Sequence, residues 1–318
     1  MANTLNGMVV ENVAREGFKA FLKGLTPLGI FSTNLSADIA EQGTVVNTRI
    51  VPASSAAVDL LTNDTASGDR QNSGIITDLT TTGVPVTLNQ QPIAGFSLTD
   101  YEMGNIASGV MADTKEKAIA TKAYAVAHYV LKYCFNLVIP GTYTNTAAFT
   151  GAASAFDLDD VVDMGDACAQ LGWTADDGKN YLVLDTSYYA ALKKDNAIQD
   201  LSASGIKVVQ DGLLPKLDMF NVLQAPVIRD ATTAYNAANY VRGFVCRPSA
   251  MAVAMRQVPC QSTNGSTEVR VMTDTDTGAS LVMRTWYSDQ YAKRFFTFET
   301  LFGAAAAQVT ALSVIKSQ

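Results

Sequence analysis

This 318-residue sequence predicts an α+β fold, on three observations. An extended apolar segment at 93–98 runs into a long stretch with helical spacing that stops at Pro140 and Gly141. Residues 157–250 then alternate short helical and short extended patterns, as a mixed α/β unit does. From Thr267 onward the pattern is strand only, beginning with a long hairpin.

In order along the chain, Leu5, Met8, Val9, Val13, Phe18, Phe21 and Leu22 form an amphipathic helical pattern interrupted by Gly7 and Gly17. Thr26, Pro27, Leu28 and Gly29 break it. Gly43 opens an alternating strand through Val45, Val46, Arg49, Ile50 and Val51, which Pro52 closes. Residues 53–83 shift to Ser, Thr, Asn, Asp and Gly, too polar to build a core, and 84–88 is extended again. The polar stretch therefore reads as a long projecting loop or hairpin between two strands.

In the long helical stretch, Thr99 with Glu102 has the form of a capping box, repeated by Asp113 with Glu116. Ile119, Ala123, Val126, Val130, Cys134 and Leu137 share one face, with Ala127, Leu131 and Val138 beside them, while Lys115, Lys117, Lys122 and Lys132 lie mostly off it. Residues 141–154 are a polar connection and a plausible domain boundary. Asp157 caps a helix carrying Leu158, Val161, Val162, Met164, Cys168 and Leu171, ended by Gly172. Strands are expected at 181–184, 206–209, 221–228 and 240–246, with Asp185 capping a short helix and Pro248 starting another. A hairpin spans 267–287 across a turn at 274–278, one apolar strand runs from Phe295 through Phe302, and a last strand covers 308–316.

Composition narrows the function. With 48% hydrophobic and 8% aromatic residues the chain can bury sizeable cores. A net charge of -7 and a pI near 4.8 exclude a surface that grips nucleic acid all round, though not a local basic face. No apolar run reaches the roughly 18 residues of a membrane span, and no basic-then-apolar leader opens the sequence, so a cytoplasmic protein is expected. Cys134, Cys168, Cys246 and Cys260 are far apart with no C-x-x-C pair, which reads as free thiols and not as zinc or paired redox chemistry.

The single histidine, His128, sits inside the long helix, an awkward place from which to orient a catalytic base, and reads as structural. Asp274, Asp276 and Gly278 resemble the start of a calcium loop, but Thr285 occupies the twelfth position where the bidentate Glu belongs, so a polar hairpin turn is expected. Asp157, Asp159, Asp160 and Asp163 could in principle pair for acid–base work. At a helix start their usual role is to complement the dipole. No nucleotide-binding loop or nucleophile elbow is present, and the expectation is no catalytic, cofactor or metal residue. The basic face of the long helix, with Arg15, Lys19 and Lys23, is either an ordinary solvated surface or a local polyanion face.

Three phrases carry a family resemblance. Residues 180–192, NYLVLDTSYYAAL, resemble the strand-into-helix of the axial domain of tailed-bacteriophage major capsid proteins, the Hong Kong 97-type fold. Residues 209–222, VQDGLLPKLDMFNV, are similar to that family's glycine-phenylalanine turn, with Met219 where Gly is frequent. Val241, Arg242, Gly243, Phe244 and Val245 before Pro248, Ser249 and Ala250 resemble the strand and helix start that follow. The order of parts agrees over nearly the whole chain.

The resemblance implies an N-terminal arm at 1–42, an extended loop at 43–88 lying over a neighbouring subunit, and a peripheral domain with its spine helix at 89–150. It further implies an axial domain at 151–255, a peripheral long hairpin and strand at 256–304, and a C-terminal strand returning to the axial domain at 305–318. It implies a non-enzyme that self-assembles as hexamers and pentamers into an icosahedral shell around double-stranded DNA, built in host cytoplasm and residing in the virion. DNA would be held through non-specific contacts, and no membrane is involved. No Lys occurs between Gly24 and Thr114, so an isopeptide cross-link from the loop is not expected. The expected partners are further copies of the chain, a separate scaffolding protein, a portal protein and a decoration protein. The alternatives are an encapsulin-type compartment and, from a different class, an α/β hydrolase whose 53–83 stretch is a lid.

Overall fold

In the computed structural model, residues 6–50, 82–102, 112–143, 145, 148–174, 177–196, 198, 214, 216–225, 240–259 and 267–317 are described. Helix α1 (Asn6–Leu25) buries Val13, Ala14, Phe21 and Leu25 on one face. Glycine does not interrupt it. Instead Gly17 and Gly24, seven residues and so two turns apart, mark its closest approaches. A Cβ on Gly17 would stand 2.7 Å from the Phe298 ring, and one on Gly24 would stand 2.7 Å from the Ala127 Cβ. A 3-10 turn, Thr26–Ile30, follows at the expected break.

Next comes a strand that the sequence reading passed over, β1 (Ser32–Ile39). Its partner was missed too. The later strand Met251–Gln257 pairs with it in parallel, Ser32 opposite Ala252 and Leu35 opposite Met255. A run of Met and Ala directly after a proline turn has helical propensity, yet Met251 to Met255 are buried without a break, so no alternation was there to read. Arg256 in the same strand is 9% exposed. Its guanidinium donates to the Asn34 carbonyl at 2.7 Å, the Asn34 Oδ1 at 3.1 Å and the Met255 carbonyl at 2.7 Å, which satisfies a buried cation and ties the two strands together.

β2 (Val45–Ile50) and β3 (Thr82–Thr87) form the expected pair flanking the polar stretch, antiparallel from Val45 opposite Thr87 to Ile50 opposite Thr82. Residues 51–81, where the projecting loop is expected, lie outside the described residues. The hairpin base is closed by Gly43 N–H donating to the Leu88 carbonyl at 2.8 Å and Leu88 N–H donating to the Thr44 carbonyl at 2.9 Å. Gly43 has φ +94°, a left-handed backbone that suits glycine.

The antiparallel sheet β4 (Ile93–Thr99), β10 (Thr267–Thr273), β11 (Ser280–Ser288) and β12 (Lys293–Glu299) has the order β10-β11-β12-β4. The apolar run at its end is two strands and not one. Thr300, buried, donates its hydroxyl to the Ser280 carbonyl at 3.0 Å, and β13 (Leu301–Ala306) then crosses into a second sheet of order β1-β9-β13, where β9 is the Met251–Gln257 strand. Helix α2 (Ala112–Asn136), about 37 Å long at 1.5 Å per residue, packs with α1, β4 and β12. It buries Ile119, Ala123, Val126, Ala127, Val130, Leu131 and Cys134, as the spacing predicts. It stops at Asn136, before Pro140, and is already helical at Ala112, so Asp113 lies inside it and not ahead of it.

A third sheet has the order β5-β14-β8-β6-β7, from β5 (Phe149–Thr150), β6 (Tyr181–Leu184), β7 (Asn221–Gln224), β8 (Val241–Cys246) and β14 (Leu312–Lys316). β5 falls in the stretch read as plain connection. Helices α3 (Leu158–Gln170) and α4 (Thr186–Lys194) bury Val161, Met164, Cys168, Tyr188, Tyr189 and Leu192 against it. Val162 and Leu171, expected on the apolar face, are 43% and 53% exposed. Gly172 ends α3 with φ +80°. The strand expected at 206–209 lies outside the described residues.

Candidate assembly surfaces

The residues that tempted a catalytic reading do not converge. His128 lies half-buried on α2 and stacks on Tyr124 with ring centroids 6.1 Å apart. His128→Ala is expected to leave the thermal midpoint within about 2 °C of the parent, a result checked by calorimetry. Asp157 and Asp160 form a reciprocal cap: Asp160 N–H donates to Asp157 Oδ1 at 3.2 Å, and Asp157 N–H donates to Asp160 Oδ2 at 3.1 Å. Burial raises the Asp160 pKa above the usual carboxylate value, a shift that the hydrogen bond from Asp157 opposes. These carboxylates belong to the helix start.

Asp274 likewise serves its own turn, accepting from the Thr277 N–H at 3.0 Å and from the Thr277 hydroxyl. Gly278, with φ +76°, sets that turn against β1, where a Cβ would meet the Leu35 carbonyl oxygen at 2.7 Å. Among the described residues no group of three His, Cys, Asp or Glu is arranged to hold a metal ion. Cys134, Cys168 and Cys246 are buried free thiols. Burial pushes the first two up to about 12 and raises the third as well, so they stay protonated and inert. No described helix is long and apolar enough to cross a membrane.

Three features concern surfaces. The first is the hairpin. Among the described residues β2 and β3 form a sheet of two strands, and such a hairpin is marginal by itself. Val86 and Leu88 are fully buried and pack in one cluster with Ala252, Ala254, Val282 and Leu301, so the base is rooted in the body. Val45, by contrast, is 54% exposed. The second is the helical segment 100–102 directly after β4, whose continuation through 103–111 lies outside the described residues. The Thr99 N–H and hydroxyl each donate to Glu102 Oε2 at 2.8 Å, and Glu102 N–H donates to Thr99 Oγ1 at 3.3 Å, the expected capping box. Beside it Tyr287 donates to Asp100 Oδ2 at 2.8 Å.

The third feature is the turn before β7. Leu217 and Phe220 bridge across Asp218 and Met219. The left-handed residue is Asp218, φ +48°, while Met219 is 5% exposed and joins the core. At the start of α4, Asp185 is the N-cap residue as expected but makes no capping bond. Its carboxylate accepts from Ser187 Oγ at 3.1 Å and lies 3.6 Å from Arg242 Nη1.

No protein-family model matches the sequence, and neither does any curated protein. Solved structures do. The fold is similar to that in the capsid structure of the cyanophage P-SCSP1u, with a TM-score of 0.52, 11% identity, and 91% of this chain and 86% of that chain covered. It is equally similar to that in the mature capsid of bacteriophage PhiM1, with a TM-score of 0.50, 10% identity and coverage of 91% and 86%. The chain has the fold of phage capsid subunits, the Hong Kong 97-type α+β fold, and at these identities the likeness concerns the fold alone.

Proposed function

We propose that this chain is a major capsid protein of a tailed phage, self-assembling as hexamers and pentamers into an icosahedral shell that encloses double-stranded DNA. The observation that carries the reading is the fold shared with two capsid subunits over 91% of this chain. The hairpin supports it: two strands rooted in the subunit's core and joined by the long polar stretch 51–81 are suited to lie on a neighbour, where a few buried anchors supply most of the binding energy. In this reading residues 1–42 are the arm, 43–88 the loop over the adjacent subunit, and 89–150 with 256–304 the peripheral domain. Residues 151–255 and 305–318 surround the capsomer centre. The chain carries out no reaction, resides in the virion after assembly in host cytoplasm, and works with a scaffolding protein, a portal protein and a decoration protein.

Size-exclusion chromatography and electron microscopy of the purified protein test this. Megadalton shells or rings of five and six subunits are expected, with nucleic acid inside particles made during infection. A monomer or dimer with no larger species overturns the proposal, and protein cargo in place of DNA moves the chain to an encapsulin-type compartment.

A further inference from the structure

Charge is distributed unevenly over this acidic chain. Helix α1 holds Arg15, Lys19 and Lys23 against Glu11 and Glu16, and α2 holds Lys115, Lys117, Lys122 and Lys132 against Asp113 and Glu116. The fold joins these two stretches, since α1 lies on α2. A Cβ on Gly24 would meet the Tyr124 ring at 3.2 Å as well as Ala127, so Tyr124 marks the edge of α2 that borders α1. Lys117 precedes Tyr124, and His128 and Lys132 follow it, at helical spacing along that edge. Lys117 and Lys132 are exposed, as are Arg15, Lys19 and Lys23, which recur every four residues on the outer face of α1. The two helices together carry seven basic residues against four acidic ones and so present a net basic ridge, while most of the carboxylates that make the chain net negative lie elsewhere. Glu16 pairs with Lys19 at 3.0 Å, with the lysine side chain 66% and the glutamate 46% exposed. Such a pair is weak and exchangeable.

We infer that this α1–α2 ridge is a docking surface for duplex nucleic acid, held through its phosphates without reading sequence. The geometry favours a duplex over a protein. Lys117 and Lys132 stand about 22 Å apart along the helix, a length over which a duplex presents roughly a dozen phosphates. The lysines are spread along a ridge and converge on no pocket, and as point charges they can follow a backbone in any register. The exposed large hydrophobic side chains described on these helices are tyrosines, Tyr124 at 50% and Tyr129 at 45%, so a protein partner would find no aliphatic anchor. The inference rests on the shell reading above, and it adds an orientation: the ridge faces the interior.

The test uses the full chain, with Lys19→Gln, Lys23→Gln, Lys117→Gln and Lys132→Gln combined. Glutamine keeps helix propensity close to that of lysine, and circular dichroism checks that the fold is retained. Binding of a random-sequence 30-bp duplex is followed by anisotropy from about 0.05 to 0.2 M salt. The variant is expected to bind at least ten-fold more weakly, with its log–log salt slope shallower by about 3 to 4. A control carrying Lys179→Gln, Lys194→Gln and Lys216→Gln, exposed lysines outside the ridge, is expected to match the parent. An unchanged slope in the ridge variant, no duplex binding by the parent, or a polyglutamate of matched charge binding as tightly as the duplex overturns the inference. Electron microscopy of the same samples separates the two readings. Shells that form with unchanged duplex binding in the ridge variant sink the ridge alone, whereas a parent that forms no shells or capsomers sinks the shell reading.

Discussion

Gly303→Ala is expected to destabilise the subunit by about 3 kcal/mol or more, lowering the thermal midpoint of unfolding by roughly 6–10 °C. Gly303 lies in β13 where the end of β3 crosses it. A Cβ there would stand 2.0 Å from the Thr87 carbonyl oxygen, 2.8 Å from its carbon and 3.3 Å from the Leu88 Cα. All three are backbone atoms, so no rotamer change relieves the overlap, and one of two crossing segments must move. Moving Thr87 pulls on Leu88, which is fully buried and whose N–H and carbonyl close the hairpin base. Gly141→Ala is the control, because nothing lies within 4 Å of a Cβ at that position. Its midpoint is expected to stay within about 2 °C of the parent. A Gly303→Ala protein that melts with the parent would show that the crossing is loose.

The second large effect concerns assembly and not stability. Replacing residues 51–81 by Asn-Gly is expected to leave a folded subunit that forms no closed shells. The register makes the deletion conservative, since Ile50 and Thr82 are directly paired and a two-residue Asn-Gly turn joins such antiparallel neighbours with the strand twist they need. The core contacts of Val86 and Leu88 are untouched. What is lost is the length of chain available to reach another copy. Particles of normal size and yield from this variant, seen by electron microscopy, would show that the loop has no part in closure.

The parts of the fold that were legible in the sequence are those with one buried face. The α2 stripe, the flanking strands of the hairpin, the β10–β11 hairpin and the Asp157 cap all follow from periodicity or capping chemistry, and each stands where expected. What could not be read were segments whose pattern is erased by burial on both sides or by brevity. β9 presents apolar residues to both faces, so it has no period. β1 is a largely polar sequence held by a strand more than two hundred residues away, and no local signal announces such a partner. The break at Thr300 divides a run of phenylalanines that looks continuous, because the same side chains serve two sheets in turn. Gly17 and Gly24 were legible as glycines but not as contacts, since close approach is a property of the neighbour. The basic ridge was half-readable: the charges were visible, and their union on one surface needed the packing of α1 on α2.

The parallel pairing of β1 with β9 also sets a timetable. When the ribosome has made Ile39, the partner of that strand does not yet exist, and β13, which flanks β9 on its other side, comes later still. Closing so long a loop is slow relative to local helix formation. The hairpin root depends on the same late strands, because Val86 and Leu88 pack on Ala252, Ala254 and Leu301. A nascent chain can therefore form α1 and α2 early, but its β2–β3 hairpin stays unanchored until translation has passed residue 306. On the shell reading proposed above, subunits of this topology gain the posture for association only after residue 306 has been made, which keeps shorter nascent chains out of a growing lattice.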